Sequence, residues 1–317
     1  MPATVAKCEI MDGVIAINKE AGWTSHDVVA KVRQMLGGVK VGHAGTLDPA
    51  ATGLLPLLIG KGTRIAEYLL EWDKEYLAVL RLGEATDTLD ATGTILDRRS
   101  TQHITTAAII EAMGRFRGAI EQVPPMYSAV KIDGVPLYRS ARAGKTIARD
   151  ARIVVIRELD MLGVDGQEVA FRVVCSKGTY VRSLCADIGA VLGVGAHLRV
   201  LESTRVGPLT LNRSLTVDAI VHHHHLGGLT AHMWSLDDVL RHLPLVVVDV
   251  RAADRVCHGA PVASADILQA KDNEKERKPG MPVRIHDGRG RLLAVGRFSE
   301  PCSDRIVIEK VFASELV

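Results

Sequence analysis

The sequence predicts a mixed α+β protein with a smaller, β-rich C-terminal part. Stretches with helical periodicity and stretches with the two-residue alternation of strands interleave through the first 240 residues. Beyond Leu243-Pro244 the chain switches to several short strand-like runs. A length of 317 residues also favours two domains, at about 150 residues each.

The composition is that of a globular protein, with 47% hydrophobic and 24% charged residues and a formal net charge of +2. The N-terminus has no apolar leader, and no run reaches the length of about 18 apolar residues that a membrane helix needs. The cysteines are odd in number and form no C-x-x-C pair, which disfavours a disulfide framework or a zinc ribbon. We therefore expect a protein of the reducing cytoplasm, with no membrane association. The cysteines are Cys8, Cys175, Cys185, Cys257 and Cys302.

The first elements follow from apolar runs and capping residues. Gly13–Lys19 is a short apolar run that predicts a buried strand. Thr24 to Asp27 supply caps for an amphipathic helix over 28–35. After a glycine-rich turn, the apolar run 53–59 precedes a predicted helix over 65–70.

The middle of the chain alternates between the two periodicities. Lys74–Leu82 predicts a strand with Tyr76, Ala78, Leu80 and Leu82 on one face. Helical patterns cover 106–116 and 181–192, and strand patterns cover 153–162, 169–175 and 204–211.

The C-terminal part carries predicted strands over 245–250, 282–287, 291–298 and 305–311. Between them, residues 271–280 are so rich in charge that we expect a mobile surface loop. The four histidines at 222–225 lack the partners of a metal site, and we expect a solvated helix or loop there.

One carboxylate stands out in a backbone-constrained loop. Asp48 lies in the segment VGHAGTLDPAATGLLP, from Val41 to Pro56, which surrounds it with three glycines and two prolines. Glycine and proline restrict where the chain can turn, so this pattern predicts a carboxylate held in a fixed position.

A cluster of cations predicts a surface for phosphates. Residues 139–157, the basic segment, contain a single acid, Asp150. The alternative is an ordinary solvated face, and the segment alone does not decide. Its cations are Arg139, Arg142, Lys145, Arg149, Arg152 and Arg157.

Two motifs that would indicate other functions fail on spacing. A phosphate-binding loop ending in Gly60-Lys61 requires Gly at 55 and Ser or Thr at 62, where the chain has Leu55 and Gly62. A calcium loop requires ligands at alternate positions, whereas Asp87 and Asp90 lie three apart. The sequence therefore disfavours nucleotide hydrolysis and calcium sensing.

The chain resembles the bacterial tRNA pseudouridine synthase B (TruB) family. The resemblance rests on a series of blocks that occur in the family's order from Gly42 to Leu198. These are GHAGTLDPAATGLLP at 42–56, DKEY at 73–76, TDTLDATG at 86–93, PPMYSAVK at 124–131, KGTYVRSL at 177–184 and GAHL at 195–198.

The resemblance implies a pseudouridine synthase fold, with a mixed, largely antiparallel sheet flanked by helices. It assigns residues 1–240 to the catalytic domain and 245–317 to a small PUA-like RNA-binding domain. It also implies a monomer that isomerises the T-loop uridine of tRNA (uridine-55) to pseudouridine. This isomerisation involves no redox change, so we expect no cofactor and no metal.

The resemblance further implies roles for catalytic residues. Asp48 is the essential carboxylate, acting as a nucleophile at the sugar or at the base, or as a base at the ribose in a glycal route. Arg182 is the cation that keeps Asp48 ionised. Tyr76 stacks on the extruded base and is placed to help remove the C5 proton; a phenol is a weak general base, so stacking is the firmer role.

Five more residues are implied to bind the substrate. Tyr180 and Leu201 line the pocket, and His43 occupies the space that the flipped uridine leaves. Asp90 contacts RNA or organises the pocket. Arg64 stands where many family members carry Lys, and either cation can neutralise a phosphate.

Two other functions compete with this interpretation. The basic segment and the added C-terminal domain are also typical of a tRNA-binding folding chaperone in which catalysis is incidental. Glycoside hydrolysis by a carboxylate pair such as Asp48 and Asp90 is disfavoured, because sugar sites usually offer aromatic platforms and only 4% of this chain is aromatic.

Overall fold

The computed structural model describes residues 12–270, 278–299 and 305–313. Two features singled out in the sequence lie partly outside these ranges: the cysteines Cys8 and Cys302, and residues 271–277 of the charged segment. The described cysteines Cys175, Cys185 and Cys257 are free thiols.

The helices are short and mostly capped by side chains. The first shows a capping box between Thr24 and Asp27, as the sequence predicts. In the described part of the chain, no helix has both the length and the apolar character to cross a membrane. The α-helices are α1 (Ser25–Met35), α2 (Ala66–Leu70), α3 (Thr106–Gly114), α4 (Leu137–Arg142), α5 (Val181–Val191), α6 (Val217–His225), α7 (Leu236–Val239) and α8 (Val250–Cys257).

The strands up to residue 234 belong to one large sheet and two small hairpins. They are β1 (Gly13–Lys19), β2 (Val41–His43), β3 (Thr52–Ile59), β4 (Lys74–Leu82), β5 (Glu84–Thr86), β6 (Ile95–Arg98), β7 (Gly118–Gln122), β8 (Lys131–Ile132), β9 (Val135–Pro136), β10 (Arg152–Asp165), β11 (Glu168–Cys175), β12 (Ala196–Val206), β13 (Leu209–Thr210) and β14 (Met233–Trp234).

The large sheet has the order β14-β1-β3-β12-β4-β11-β10-β7, with β2 beside β3 and β13 beside β12. Its pairings are antiparallel except for β12 with β3, which run parallel. This arrangement confirms the predicted α+β class with a mixed, largely antiparallel sheet. It also places the Asp48 loop, between β2 and β3, near the middle of the sheet.

Helices cover the sheet unevenly. Helices α3 and α5 pack on the β4–β11–β10 part, around a core that includes Phe171 and Leu184. Strand β3 contributes to two further cores: Leu54 and Leu58 face one of them, while Leu55 and Leu57 face the other. Alternation along a strand that is covered on both faces produces this division.

One predicted element begins in the wrong place. The strand predicted over 204–211 starts at Ala196 and ends at Val206, and a turn at Gly207-Pro208 separates it from β13. Two bulges against β4, between Leu198 and Val200 and between Ser203 and Arg205, interrupt the two-residue alternation. The bulges hid the first part of this strand from a periodicity argument.

The C-terminal strands form a second sheet with the order β16-β20-β19-β18-β15-β17. They enclose a core of their own that includes Val246, Ala253 and Phe298. The β-rich character predicted for this part is confirmed. The strands are β15 (Leu245–Val248), β16 (Val262–Ala263), β17 (Ile267–Ala270), β18 (Pro282–His286), β19 (Leu292–Phe298) and β20 (Arg305–Val311).

The second sheet contacts the first part of the chain at two places. Near α2, Lys61 Nζ donates to the Phe312 carbonyl at 2.7 Å and Tyr68 Oη bonds Glu309 at 3.0 Å. Near α7, one oxygen of Asp237 accepts from Arg284 and bonds His286 Nε2, both at 2.7 Å.

Candidate active site

The loop that carries Asp48 is fixed from both sides of that residue. Before it, Ser25 Oγ accepts from the Leu47 amide at 2.9 Å and bonds the Leu47 carbonyl at 3.2 Å. After it, the amide of Ala51 donates back to the Asp48 carbonyl at 3.0 Å. These contacts give the fixed carboxylate that the sequence predicts.

A buried lysine that the sequence analysis overlooked adds a further anchor. Lys19 ends β1 with no exposed surface. Its Nζ donates to the carbonyls of Glu20, Trp23 and Pro49, at 3.0, 2.8 and 3.3 Å. Burial lowers the pKa of Lys19, and the charge of Asp48 raises it. A lysine that ends an otherwise apolar strand was the signal that could have revealed it.

Asp48 meets Arg182 in a two-point ion pair. Arg182 Nε lies 2.9 Å from Asp48 Oδ2, and Nη2 lies 3.2 Å from Asp48 Oδ1. The Arg182 side chain is 6% exposed and that of Asp48 is 39% exposed. The cation is therefore enclosed by protein, while the carboxylate remains open to a substrate.

The guanidinium of Arg182 also bonds two other segments of the chain. Nη2 donates to the Tyr127 carbonyl at 2.8 Å, and Nη1 donates to the Thr88 carbonyl at 3.2 Å. Asp90 Oδ2 lies 3.8 Å from Nη1. Arg182 thus joins the Asp48 loop, the turn after β5 and the chain after β7 at one point.

Asp90 is held by its own turn. Asp90 Oδ1 accepts from the Thr88 hydroxyl at 2.7 Å, and from the hydroxyl and amide of Thr92 at 2.6 and 2.9 Å. Leu89, between the two residues that face Arg182, has a φ of 63°, which non-glycine residues seldom adopt.

The charge state of Asp48 is set by opposing effects. Burial raises the pKa of Asp48 above its usual range, Arg182 lowers it, and Asp90 raises it. The guanidinium therefore offsets part of the cost of holding an ionised carboxylate in the pocket.

Tyr76 and Leu201 lie on adjacent strands beside this pair. Leu201 is the register partner of Ala78, and Tyr76 pairs with Ser203. Both are partly buried and pack where two of the cores meet. Burial raises the pKa of Tyr76, with further contributions from Cys175 and Asp48, so the phenol is held in its neutral form.

Tyr180 and His43 lie close in sequence to the two residues of the pair. Tyr180 immediately precedes α5, two residues before Arg182. His43 ends β2, five residues before Asp48. Its Nδ1 is buried, with no hydrogen-bond partner among the described residues. Burial lowers the pKa of His43, which favours the neutral ring.

Arg64 contacts the C-terminal sheet. Its Nη1 donates to the Val311 carbonyl at 2.7 Å, and its guanidinium lies 5.7 Å from the centre of the Phe312 ring. Arg64 therefore faces the C-terminal sheet, while the other predicted site residues gather around Asp48 or on the elements next to it.

The described residues contain no group of three or more His, Cys, Asp or Glu able to hold a metal ion. Residues 222–225 form the last turn of α6, where the His223 ring lies 4.1 Å from that of His232. The arrangement around Asp48 instead offers a carboxylate paired with a buried guanidinium, and a neutral aromatic ring on β4. These groups suit nucleophilic or general-base chemistry at a planar substrate.

Two family models match this chain. The model of the TruB family pseudouridylate synthase N-terminal domain covers residues 33–181. The model of the tRNA pseudouridylate synthase B C-terminal domain covers residues 182–244.

Known proteins match over almost the whole chain. A tRNA pseudouridine synthase B from Burkholderia mallei (strain NCTC 10247) is 44% identical over 295 residues, which cover 92% of this chain and 94% of the relative. Another, from Stutzerimonas stutzeri (strain A1501), is 40% identical over 96% of this chain and 97% of the relative. The protein in the crystal structure of a Cbf5-Nop10-Gar1 complex is 31% identical, with a TM-score of 0.78 over 96% of this chain and 86% of its own length.

Proposed function

Because the chain belongs to the TruB family of pseudouridylate synthases, we propose that it isomerises the T-loop uridine of tRNA (uridine-55) at Asp48. The chain is a tRNA pseudouridine synthase, an isomerase. The observation that carries the assignment of the site is the two-point pair between Asp48 and Arg182.

The reaction breaks the bond between C1′ and N1 of uridine, turns the uracil and forms a bond between C1′ and C5. Asp48 carries this rearrangement as an ionised group, either by attack on the sugar or base or by proton removal from the ribose. Arg182 keeps the carboxylate charged and directs it, because its two contacts leave the group little rotational freedom.

The other pocket residues bind the uracil. Tyr76, with a neutral ring beside Asp48, stacks on the extruded base, and its high pKa makes it a poor base at neutral pH. Tyr180 and Leu201 line the same pocket. Asp90 organises the pocket through its contact with Arg182.

Asp48 reaches the uridine only after the base leaves the folded T-loop. His43 occupies the vacated space as a neutral ring, which its lowered pKa favours. For Arg64, the contact with Val311 supports a structural role instead of phosphate binding.

The surface that carries the basic segment binds the tRNA. Helix α4 and the chain after it carry the basic segment, where Arg139, Arg142 and Lys145 are exposed. We assign residues 1–240 to catalysis and 245–317 to a PUA-like RNA-binding domain, in a monomer that acts on tRNA in the cytoplasm. Cations that track phosphates supply affinity without reading sequence.

The test compares Asp48→Asn with Asp165→Asn, a change of the same kind at the exposed last residue of β10. We expect Asp48→Asn to form no pseudouridine in a T-loop hairpin, detected by carbodiimide labelling, while tRNA affinity stays within about twofold. The Asp165 variant should work at the normal rate. Normal product formation by purified Asp48→Asn would overturn the assignment, and release of free uracil would indicate glycoside hydrolysis.

The exposed basic segment also supports a second function, as a tRNA-folding chaperone in which catalysis is incidental. A growth assay separates the two functions. If Asp48→Asn fully rescues a deletion strain while charge reversal at Arg142 and Arg149 does not, tRNA binding is the main biological role. If Asp48→Asn fails to rescue the deletion strain, catalysis is the main biological role.

A further inference from the structure

The side chain of Gln122 connects an edge strand to the helix that carries Arg182. Gln122 ends β7 and is 2% exposed. Its Oε1 accepts from the Tyr180 amide at 2.7 Å, and its Nε2 donates to the Tyr180 carbonyl at 3.1 Å. One carboxamide therefore holds both backbone polar groups of a single residue.

That residue occupies the start of α5, where the helix has no side-chain cap of its own. A second contact reinforces the connection, because Ser183 Oγ donates to the Val123 carbonyl at 3.0 Å. The end of β7 thus supplies the fixation that a capping side chain would otherwise give. Both contacts act on the first turn of α5.

Arg182 lies in this same first turn, two residues after Tyr180 and one before Ser183. Its guanidinium makes the two contacts with Asp48 at 2.9 and 3.2 Å. A movement of the helix start would shift the guanidinium and lengthen these contacts. Misplacement of a reacting group by about 1 Å can reduce a rate about 100-fold.

Gln122 also marks the place where the chain leaves the sheet toward the basic segment. Its register partner on β10 is Arg152, so residues 123–151 leave the sheet at Gln122 and rejoin it at the neighbouring position on β10. Within that excursion, the Tyr127 carbonyl accepts from Arg182 Nη2 at 2.8 Å. The segment with the exposed cations is therefore joined to α5 through Gln122 and to Arg182 through Tyr127.

We propose that Gln122 is a positioning residue for the isomerisation, which holds Arg182 against Asp48 by fixing the backbone of Tyr180 at the start of α5. The proposal rests on the proposed function, since it needs Asp48 to be the reacting carboxylate. Gln122 itself does not contact the substrate.

Gln122→Met keeps the length of the side chain and removes both hydrogen bonds. Gln167→Met is the matched control, because Gln167 bonds Arg81 and Thr101 in a different part of the fold. We expect Gln122→Met to lower the single-turnover rate by about 10- to 100-fold and to leave tRNA affinity within about twofold. With Arg182 displaced, the pKa of Asp48 should rise further, so the acidic limb of the pH–rate profile should move to higher pH.

Gln122→Glu should restore most of the rate, because a buried protonated carboxyl can both accept from the Tyr180 amide and donate to its carbonyl. If Gln122→Met does not fold, Ser183→Ala takes its place, with a smaller loss and a shift of the limb in the same direction. The proposal is overturned if the acidic limb of the pH–rate profile does not move in Gln122→Met. It is also overturned if Gln122→Met and Gln167→Met lose the same fraction of the single-turnover rate. Failure of the wild-type chain to make pseudouridine would instead overturn the proposed function.

Discussion

Lys19 Nζ donates a hydrogen bond of 3.3 Å to the carbonyl of Pro49, the residue next to Asp48. The same ammonium bonds the carbonyls of Glu20 and Trp23, which lead into α1. One buried cation thus joins the end of β1, the approach to α1 and the Asp48 loop.

Lys19→Met should destabilise the protein, because it removes the ammonium donor from the Glu20 and Trp23 carbonyls and leaves the Pro49 carbonyl with the Gly22 amide alone. We expect a loss of about 1–3 kcal/mol in the free energy of unfolding, measured by urea denaturation. Lys31→Met, at an exposed position of α1, serves as the control and should change little. Equal stability of the two variants would show that the ammonium contributes nothing.

Arg182→Met should change the pH dependence of the reaction as well as its rate. Arg182 lowers the pKa of Asp48 against the effect of burial, so its removal raises that pKa. With Asp48 as the proposed reacting group, its ionised form is the active one and exists above the pKa; the acidic limb of kcat/KM should therefore move to higher pH. We expect the rate at neutral pH to fall about 100-fold or more.

The control for that experiment is Arg199→Met, which removes an arginine paired with Glu168 elsewhere on the sheet. Its pH profile should match that of the wild type. A profile for Arg182→Met that keeps the wild-type acidic limb would mean that Asp48 titrates independently of the guanidinium.

Salt dependence distinguishes the two roles considered for Arg64. If Arg64 binds the C-terminal sheet and not a phosphate, Arg64→Ala should leave the slope of log affinity for tRNA against log salt unchanged. Arg142→Ala should lower the magnitude of that slope by about 0.7–0.9. Arg64→Ala should instead cost about 0.5–1.5 kcal/mol of stability, from its bond to Val311. A smaller slope of log affinity against log salt in Arg64→Ala would show that Arg64 binds a phosphate.

Gly53→Ala should destabilise the sheet beside the Asp48 loop. Gly53 has a φ of 93°, and a Cβ there would lie 2.3 Å from the Ser203 carbonyl oxygen. We expect a loss of more than about 2 kcal/mol in thermal or chemical unfolding, from strain and collision together. Gly114→Ala, at the open end of α3, meets no atom within 4 Å and should be neutral or slightly stabilising.

Local patterns in the sequence were enough to predict several elements. The strand Gly13–Lys19 is an apolar run, and the helix after it carries its own caps, so each is specified within about a dozen residues. Strand β12 was predicted less well, because its bulges break the alternation on which such arguments depend.

The site was less accessible to sequence reasoning. Asp48 and Arg182 are separated by 134 residues, and only the family resemblance brought them together. Lys19 offered one signal, a lysine at the end of an otherwise apolar strand. Gln122 acts on the backbone of Tyr180, and the position of a backbone group leaves no signature in residue type. Arg64 contacts a strand near the other end of the chain, and no local pattern in the sequence indicates that contact.

The division of β3 between two cores has a consequence for motion. Leu54 and Leu58 face one hydrophobic layer, and Leu55 and Leu57 face another. Disruption of either core therefore removes the packing on one face of β3, the strand that follows Asp48. The segment that follows Asp48 should open only when the whole molecule unfolds, and its amide protons should be among the slowest to exchange with deuterium.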